Sequence, residues 1–312
     1  MTEVCGSRRS QMPFDSKDPR SGLNSKPSGE SKAASEFAGT EYLKFYEIAP
    51  DEKAGGAKTW YGRGQNFILA YTEASAGTEL SRIAQPDEYV VLLPDPDMRV
   101  EISTAGGKES VPGNSISFVP PGNSSLHILN DGPLVRLFSV KSEDLLDKCS
   151  NAESFETPHP NVSLFEPWPD PPDGYRLRSY SLDVPEEEGR FGRIWRGSTF
   201  MVNYFYPAEG PRDPTKLSPH SHDDFEQCSL CLGGEFIHHI RWPWITNKNM
   251  WRDDEHELCG APSIAVIPSR AIHTTEAVGK GINQLVDIFC PPRMDFSKKE
   301  GWVLNAEEYP IP

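Results

Sequence analysis

Ser263 to Pro268 reads SIAVIP, and Ser115 to Pro120 reads SISFVP. Each is a short apolar run rich in β-branched residues and closed by proline. That pattern describes a buried strand rather than a turn of helix. The two runs stand 148 positions apart, and the same spacing pairs RLFSV at 136–140 with QLVDI at 284–288. Working outward towards the N-terminus, Trp60, Gly62 and Tyr71 recur 135 positions on as Trp195, Gly197 and Tyr206. Asp87-Glu88-Tyr89 recurs 136 positions on as Asp223-Asp224-Phe225. Ordered matches with one length change describe a tandem duplication. The extra residues of the second copy fall around WPWITNKNMWRDDEHE, which predicts a longer hairpin there. Its Trp242, Trp244 and Trp251 are expected to pack against the other half or a second subunit, or else to rim an apolar site.

The rest of the chain fits an all-β reading. Short apolar runs such as NFILAY and EYVVLL alternate with turn residues, and 29 prolines leave little room for long helices. The spacing predicts a tail without fixed structure over 1–40, a first β unit over 41–150, a stiff proline-rich linker over 151–175 and a second β unit over 176–312. SEDLLDKC at 142–149 reads as a short helix closing the first unit. With 46 acidic against 31 basic residues the net charge is -15, which repels nucleic-acid backbones and anionic membranes. No basic stripe and no long apolar span offsets that. The six cysteines show no disulfide framework and the first residues show no signal-peptide pattern, so a reducing cytoplasm is the expected location.

The chemistry concentrates in SPHSHDDFEQ, Ser218 to Gln227. His220, His222 and Glu226 are separated by even steps, which on a strand puts all three on one face. Two imidazoles and a carboxylate suit a borderline divalent ion. His273 follows SIAVIP and the turn at Ser269-Arg270, where a returning strand could bring it to the first three. Cys228 shares the phase of this set and is expected to line the cavity. Cys231, an odd step away, points elsewhere, against a redox pair. Of the adjacent His238 and His239, at most one faces inward, and His238 is a candidate substrate contact. Among Arg193, Arg196, Arg241 and Arg270, the last is the candidate to hold a substrate carboxylate.

His220-x-His222-x3-Glu226-x6-Gly233 resembles the first motif of the cupin superfamily, and Pro268-x-Arg270-x2-His273 resembles its second. The chain departs from the family pattern at Arg270, where glycine is usual, at Ala277, where asparagine is usual, and at Pro214, where glycine is usual. The resemblance spans roughly 41–312 and implies a bicupin, two tandem double-sheet jelly-roll barrels. It implies a metal set of His220, His222, Glu226 and His273. Carrying the repeat back places Ala84, Pro86, Val90 and Ser125 at the same positions of the first barrel, so its metal site is expected to be lost.

What the resemblance implies for function is a mononuclear Fe(II) dioxygenase acting on a small aromatic, diketone or keto-acid molecule, with Glu226 as fourth ligand or base. Mn, Zn, Ni or Cu fit the same donors. The alternatives are a non-redox isomerase, decarboxylase or lyase, in which the ion is a Lewis acid, and a metal-containing binding protein without turnover. The resemblance also admits a homodimer.

Overall fold

A computed structural model describes residues 37–312. The expectation of an unstructured tail falls on 1–36, outside the described residues. Residues 37–40 are packed: Phe37 is buried against Trp242, with ring centroids 6.3 Å apart.

The architecture is all-β, with every strand pairing antiparallel. In the N-terminal barrel a seven-stranded sheet runs in the order 178–181, 115–119, 89–93, 132–139, 67–74, 57–63, 52–54. A four-stranded sheet, 79–85, 122–128, 99–104, 107–112, closes it. In the C-terminal barrel the large sheet runs 41–44, 263–267, 227–233, 282–289, 201–204, 193–196, and a three-stranded sheet, 255–260, 235–241, 272–277, faces it. Each half hands its first strand to the other. Glu41–Lys44 pairs with Ser263–Ile267, and Arg178–Ser181 pairs with Ser115–Val119.

The large sheets also share a core. Leu69, Val90, Leu92, Phe118 and Val135 of one barrel pack in a single cluster with Trp195, Val202, Cys228, Leu230 and Ile288 of the other. The opposite face of the N-terminal sheet packs inside its own barrel, through Tyr89, Val91, Leu93, Val119 and Phe138. Strands such as Tyr89–Leu93 are therefore buried on both faces, which is why they read as unbroken apolar runs. Fully burying one Leu- or Val-sized side chain contributes about 1.5–3 kcal/mol, so this shared core couples the barrels strongly. Among the described residues no helix is long and apolar enough to cross a membrane.

Strand pairing sets the register of the repeat. Ile116 lies opposite Leu92, and Ile264 lies opposite Leu230. Leu92 pairs with Val135, and Leu230 with Val286. Tyr71 and Tyr204 then pair with Val135 and Val286. The equivalences are Ile116 with Ile264, 148 apart as read, but Leu92 with Leu230, 138 apart, Tyr71 with Tyr204, 133 apart, and Val135 with Val286, 151 apart. Two of the expected registers slip by two residues and one by three. A slip of two keeps every side chain on its face, so the apolar pattern cannot detect it. The slip matters because it makes Glu88, not Val90, the counterpart of Glu226.

The turn that follows each SIAVIP-like strand is left-handed in both barrels. Gly122 has φ of 102° and its counterpart Arg270 has φ of 68°. The arginine thus occupies a glycine position, and an L-residue held there costs about 1–2 kcal/mol. Arg270→Gly is expected to be no less stable than wild type, and Arg270→Val to be less stable than the glycine variant by about 2 kcal/mol. Urea denaturation of the two variants measures the difference.

Candidate metal centre

His220, His222 and His273 converge inside the C-terminal barrel, with one ligand atom from each within 4.8 Å of the others. Backbone hydrogen bonds build the arrangement. His220 N–H donates to the His273 carbonyl at 3.0 Å, and His273 N–H donates to the His220 carbonyl at 2.7 Å. Their rings are tilted by 51° with centroids 4.4 Å apart, and the His222 ring lies 5.0 Å from each. His220 Nδ1 lies 2.8 Å from the Ser218 carbonyl, and His273 Nδ1 lies 3.0 Å from the Ala271 carbonyl. A carbonyl only accepts, so both Nδ1 atoms carry a proton, and in the neutral imidazole that leaves each Nε2 with the lone pair a metal needs. His222 is buried and stacks on Phe225 at 4.5 Å. Burial, and then the nearby Arg293 charge, hold its pKa well below the ordinary value, so it too is neutral.

The fourth group is Gln227. Its Oε1 lies 3.0 Å from His222 Nε2 and 3.4 Å from His273 Nε2. Its amide nitrogen donates to Ser229 Oγ at 3.0 Å and Asp287 Oδ1 at 3.1 Å, while Ser229 Oγ donates to the same Asp287 oxygen at 2.8 Å. This network points the amide oxygen at the imidazoles. Three neutral imidazole nitrogens and one amide oxygen are a donor set that suits a divalent ion, with positions left for another ligand. A cavity of about 290 Å³ opens beside it, with His220, His273, Gln227, Asp287, Phe236 and Arg212 in its wall. The Arg212 guanidinium donates to the Thr275 and Lys216 carbonyls and to Ser218 Oγ.

Glu226 is not part of this centre. Its Oε2 accepts the Gln65 backbone N–H of the N-terminal barrel at 2.6 Å, and burial pushes its pKa up to about 7. Even steps do not put residue 226 in phase with the strand, because residues 223 and 224 are bends and the strand begins only at Gln227. Alternation holds only along extended backbone. The strand's own phase carried the missed signal: Gln227, Ser229 and Cys231 share one face, Cys228 and Leu230 the other.

Cys228 accordingly faces the core between the barrels, not the cavity. Arg270 follows its turn outward, its Nε donating to the Asp223 carbonyl at 3.4 Å, and does not line the cavity. His238 does face inward, diagonal to His273 across the strand pair, with Nδ1 at 3.2 Å from Thr275 Oγ1. Burial drives its pKa to about 3, and its Nε2 is buried without a hydrogen-bond partner. Trp242 is buried with Phe37, whereas Trp244 and Trp251 stack on each other at the surface, 4.6 Å apart, away from the cavity.

In the N-terminal barrel, Ser81 and Ser125 form the pair that His220 and His273 form in the other, and Tyr89 stands where Gln227 does. Among the described residues one cluster could hold a metal.

No family model matches the sequence, and no curated protein matches it. Solved structures do. AerE from Microcystis aeruginosa superposes with a TM-score of 0.52 at 10% identity, covering 82% of this chain and 99% of that one. The oxalate decarboxylase of Lactobacillus farciminis, in a formate complex, gives 0.54 at 13% identity, covering 85% and 88%. The oxalate decarboxylase of Bacillus subtilis, studied for its Mn(II) centres, gives 0.54 at 13% identity, covering 85% and 79%. At such identities the likeness speaks for the fold, and the strand order and the histidine cluster agree with it: the chain has the bicupin fold, two tandem cupin barrels with a candidate metal centre in the C-terminal one.

Proposed function

We propose that the protein is a metal-dependent cupin enzyme that acts on a small carboxylic acid by non-redox chemistry, as a decarboxylase or related lyase. The observation that carries this reading is the donor set. His220, His222, His273 and Gln227 would hold one divalent ion without contributing any negative charge. A bound ion supplies Lewis-acid polarisation of a carboxylate or carbonyl oxygen. An all-neutral donor set leaves the ion's charge to be met by an anionic substrate. Arg212 adds positive charge to the same cavity. Asp287 and Ser229 orient the Gln227 amide. The proton-transfer role expected of Glu226 does not fall to it, because its carboxylate is engaged by Gln65.

The fold neighbours support the decarboxylase reading over the iron dioxygenase expected from the sequence, since two are oxalate decarboxylases and one is described for Mn(II) centres. The test is to load the protein with Mn(II), Fe(II) or Zn(II) and follow CO₂ release and O₂ uptake across small mono- and dicarboxylic acids. The expected result is substrate-dependent CO₂ release without stoichiometric O₂ consumption. Stoichiometric O₂ uptake would establish the dioxygenase instead, and a loaded but inert protein would establish a binding role.

A further inference from the structure

The N-terminal barrel contains a cavity of about 340 Å³, with Arg136 and Ser81 in its wall. These residues are the counterparts of Asp287 and His220, so the cavity occupies the place that the metal-side pocket has in the other barrel. Asp287 lies opposite Ser229 and Asn203, and Arg136 lies opposite Val91 and Ala70.

Arg136 is 6% exposed, and its Nε is buried with no hydrogen-bond partner. Three carboxylates line the cavity and each has another partner; Glu79 accepts the Ser81 hydroxyl at 3.2 Å. Asp144 receives two bonds from Arg82, at 2.6 and 2.8 Å. Glu52 receives Lys148 at 2.9 Å and the Tyr61 hydroxyl at 2.9 Å. Among the described residues none forms an ion pair with Arg136. Its flanks are the Phe138 ring, 5.7 Å from the guanidinium carbon, and the Tyr61 hydroxyl, with which the guanidinium hydrogen-bonds; the Glu52 carboxylate acts on its charge without forming an ion pair with it.

A guanidinium keeps its charge at any ordinary pH. Burying one without a counter-ion is costly, by several kcal/mol in general. An apolar side chain of similar length would fill the same space at no such cost. A charge retained against that penalty, aimed into a cavity, fits a site completed by an anion. The planar fork of donors matches a carboxylate, which it can hold by two parallel bonds. We propose that the N-terminal barrel binds a small organic carboxylate at Arg136, where the C-terminal barrel has its metal-side pocket.

The experiment is a thermal-shift titration of the full chain at constant ionic strength, with acetate, oxalate and succinate, a separate phosphate arm, and chloride as the control. The expected result is saturable stabilisation by carboxylates that persists in His273→Ala and weakens at least tenfold in Arg136→Met. Arg136→Lys keeps the charge but not the fork, and is expected to bind several-fold more weakly than wild type; it carries the comparison if the methionine variant does not fold. The proposal is overturned if the Arg136 variants bind carboxylate as well as wild type, or if carboxylate binding disappears in His273→Ala. It is equally overturned if phosphate alone gives an Arg136-dependent shift, or if no carboxylate exceeds chloride. Because the readout does not involve turnover, its failure is separate from failure of the proposed reaction.

Discussion

Replacing His273 with alanine is expected to weaken divalent-metal binding by roughly a hundredfold or more, since loss of an outer partner alone typically costs 10–100-fold. His273 is 1% exposed, its Nδ1 proton is fixed on the Ala271 carbonyl, and its ring faces His220 at 4.4 Å. The hydrogen bonds that join its strand to His220 are backbone bonds and survive the substitution. The variant should therefore fold and fail to hold the ion, which titration calorimetry with Mn(II) or Zn(II) and elemental analysis of the purified protein would show. Two further substitutions separate the observed set from the one expected by counting even steps. Glu226→Gln is expected to leave metal affinity unchanged, because that carboxylate meets Gln65 instead. Gln227→Ala is expected to weaken it. Asp287→Asn should fall between, by about tenfold, because the amide of Gln227 loses the acceptor that orients it. Metal loss in Glu226→Gln with full affinity in Gln227→Ala would reverse the assignment of the fourth donor.

The contrast between Glu226 and Gln227 shows where the sequence was legible. The duplicated all-β plan could be read because SISFVP and SIAVIP are strands buried on both faces, and such runs stand out from their flanks. The three histidines could be read because His220 and His222 frame a short extended stretch and His273 lies on the returning strand. Position 226 could not, because a bend between His222 and the strand resets the phase, and bends leave no periodicity to count. The exchange of first strands was invisible for a different reason. Glu41–Lys44 is a short half-buried strand whose partner, Ser263–Ile267, lies more than two hundred residues away, and local patterning carries no information about partner choice. Arg270 stands at a glycine position, and its side chain turns away from the cavity rather than into it, to the Asp223 carbonyl.

Replacing Glu88 with alanine is expected to destabilise the whole chain by about 3 kcal/mol, because a buried acceptor is removed from donors that have no alternative. Its Oε2 accepts the Ser198 N–H at 2.9 Å and the Ser198 hydroxyl at 3.2 Å, and its Oε1 accepts the Tyr309 hydroxyl at 2.7 Å. Glu226 makes the reciprocal bond to Gln65, so each barrel's glutamate satisfies the hairpin turn of the other. The turns are built for this approach: a Cβ at Gly197 would come within 2.5 Å of Glu88 Oε2, and one at Gly64 within 2.7 Å of Glu226 Oε2. Glu88→Gln keeps an oxygen for the Ser198 N–H and lets the Tyr309 hydroxyl rotate to accept from the new amide, so it should cost about 1 kcal/mol or less. The two variants also differ from wild type in their response to pH. Burial raises the Glu88 pKa above its ordinary 4.5 in the folded chain, so the unfolded chain gives up this proton first as pH rises. The stability that the protonated form supplies is complete below 4.5 and is lost as pH climbs through the folded pKa. Urea denaturation from pH 4 upward should show that decline in wild type and a shallower one in Glu88→Gln. An alanine variant as stable as wild type would mean that the barrels are held by their apolar core alone, and that the paired glutamates contribute nothing to their union.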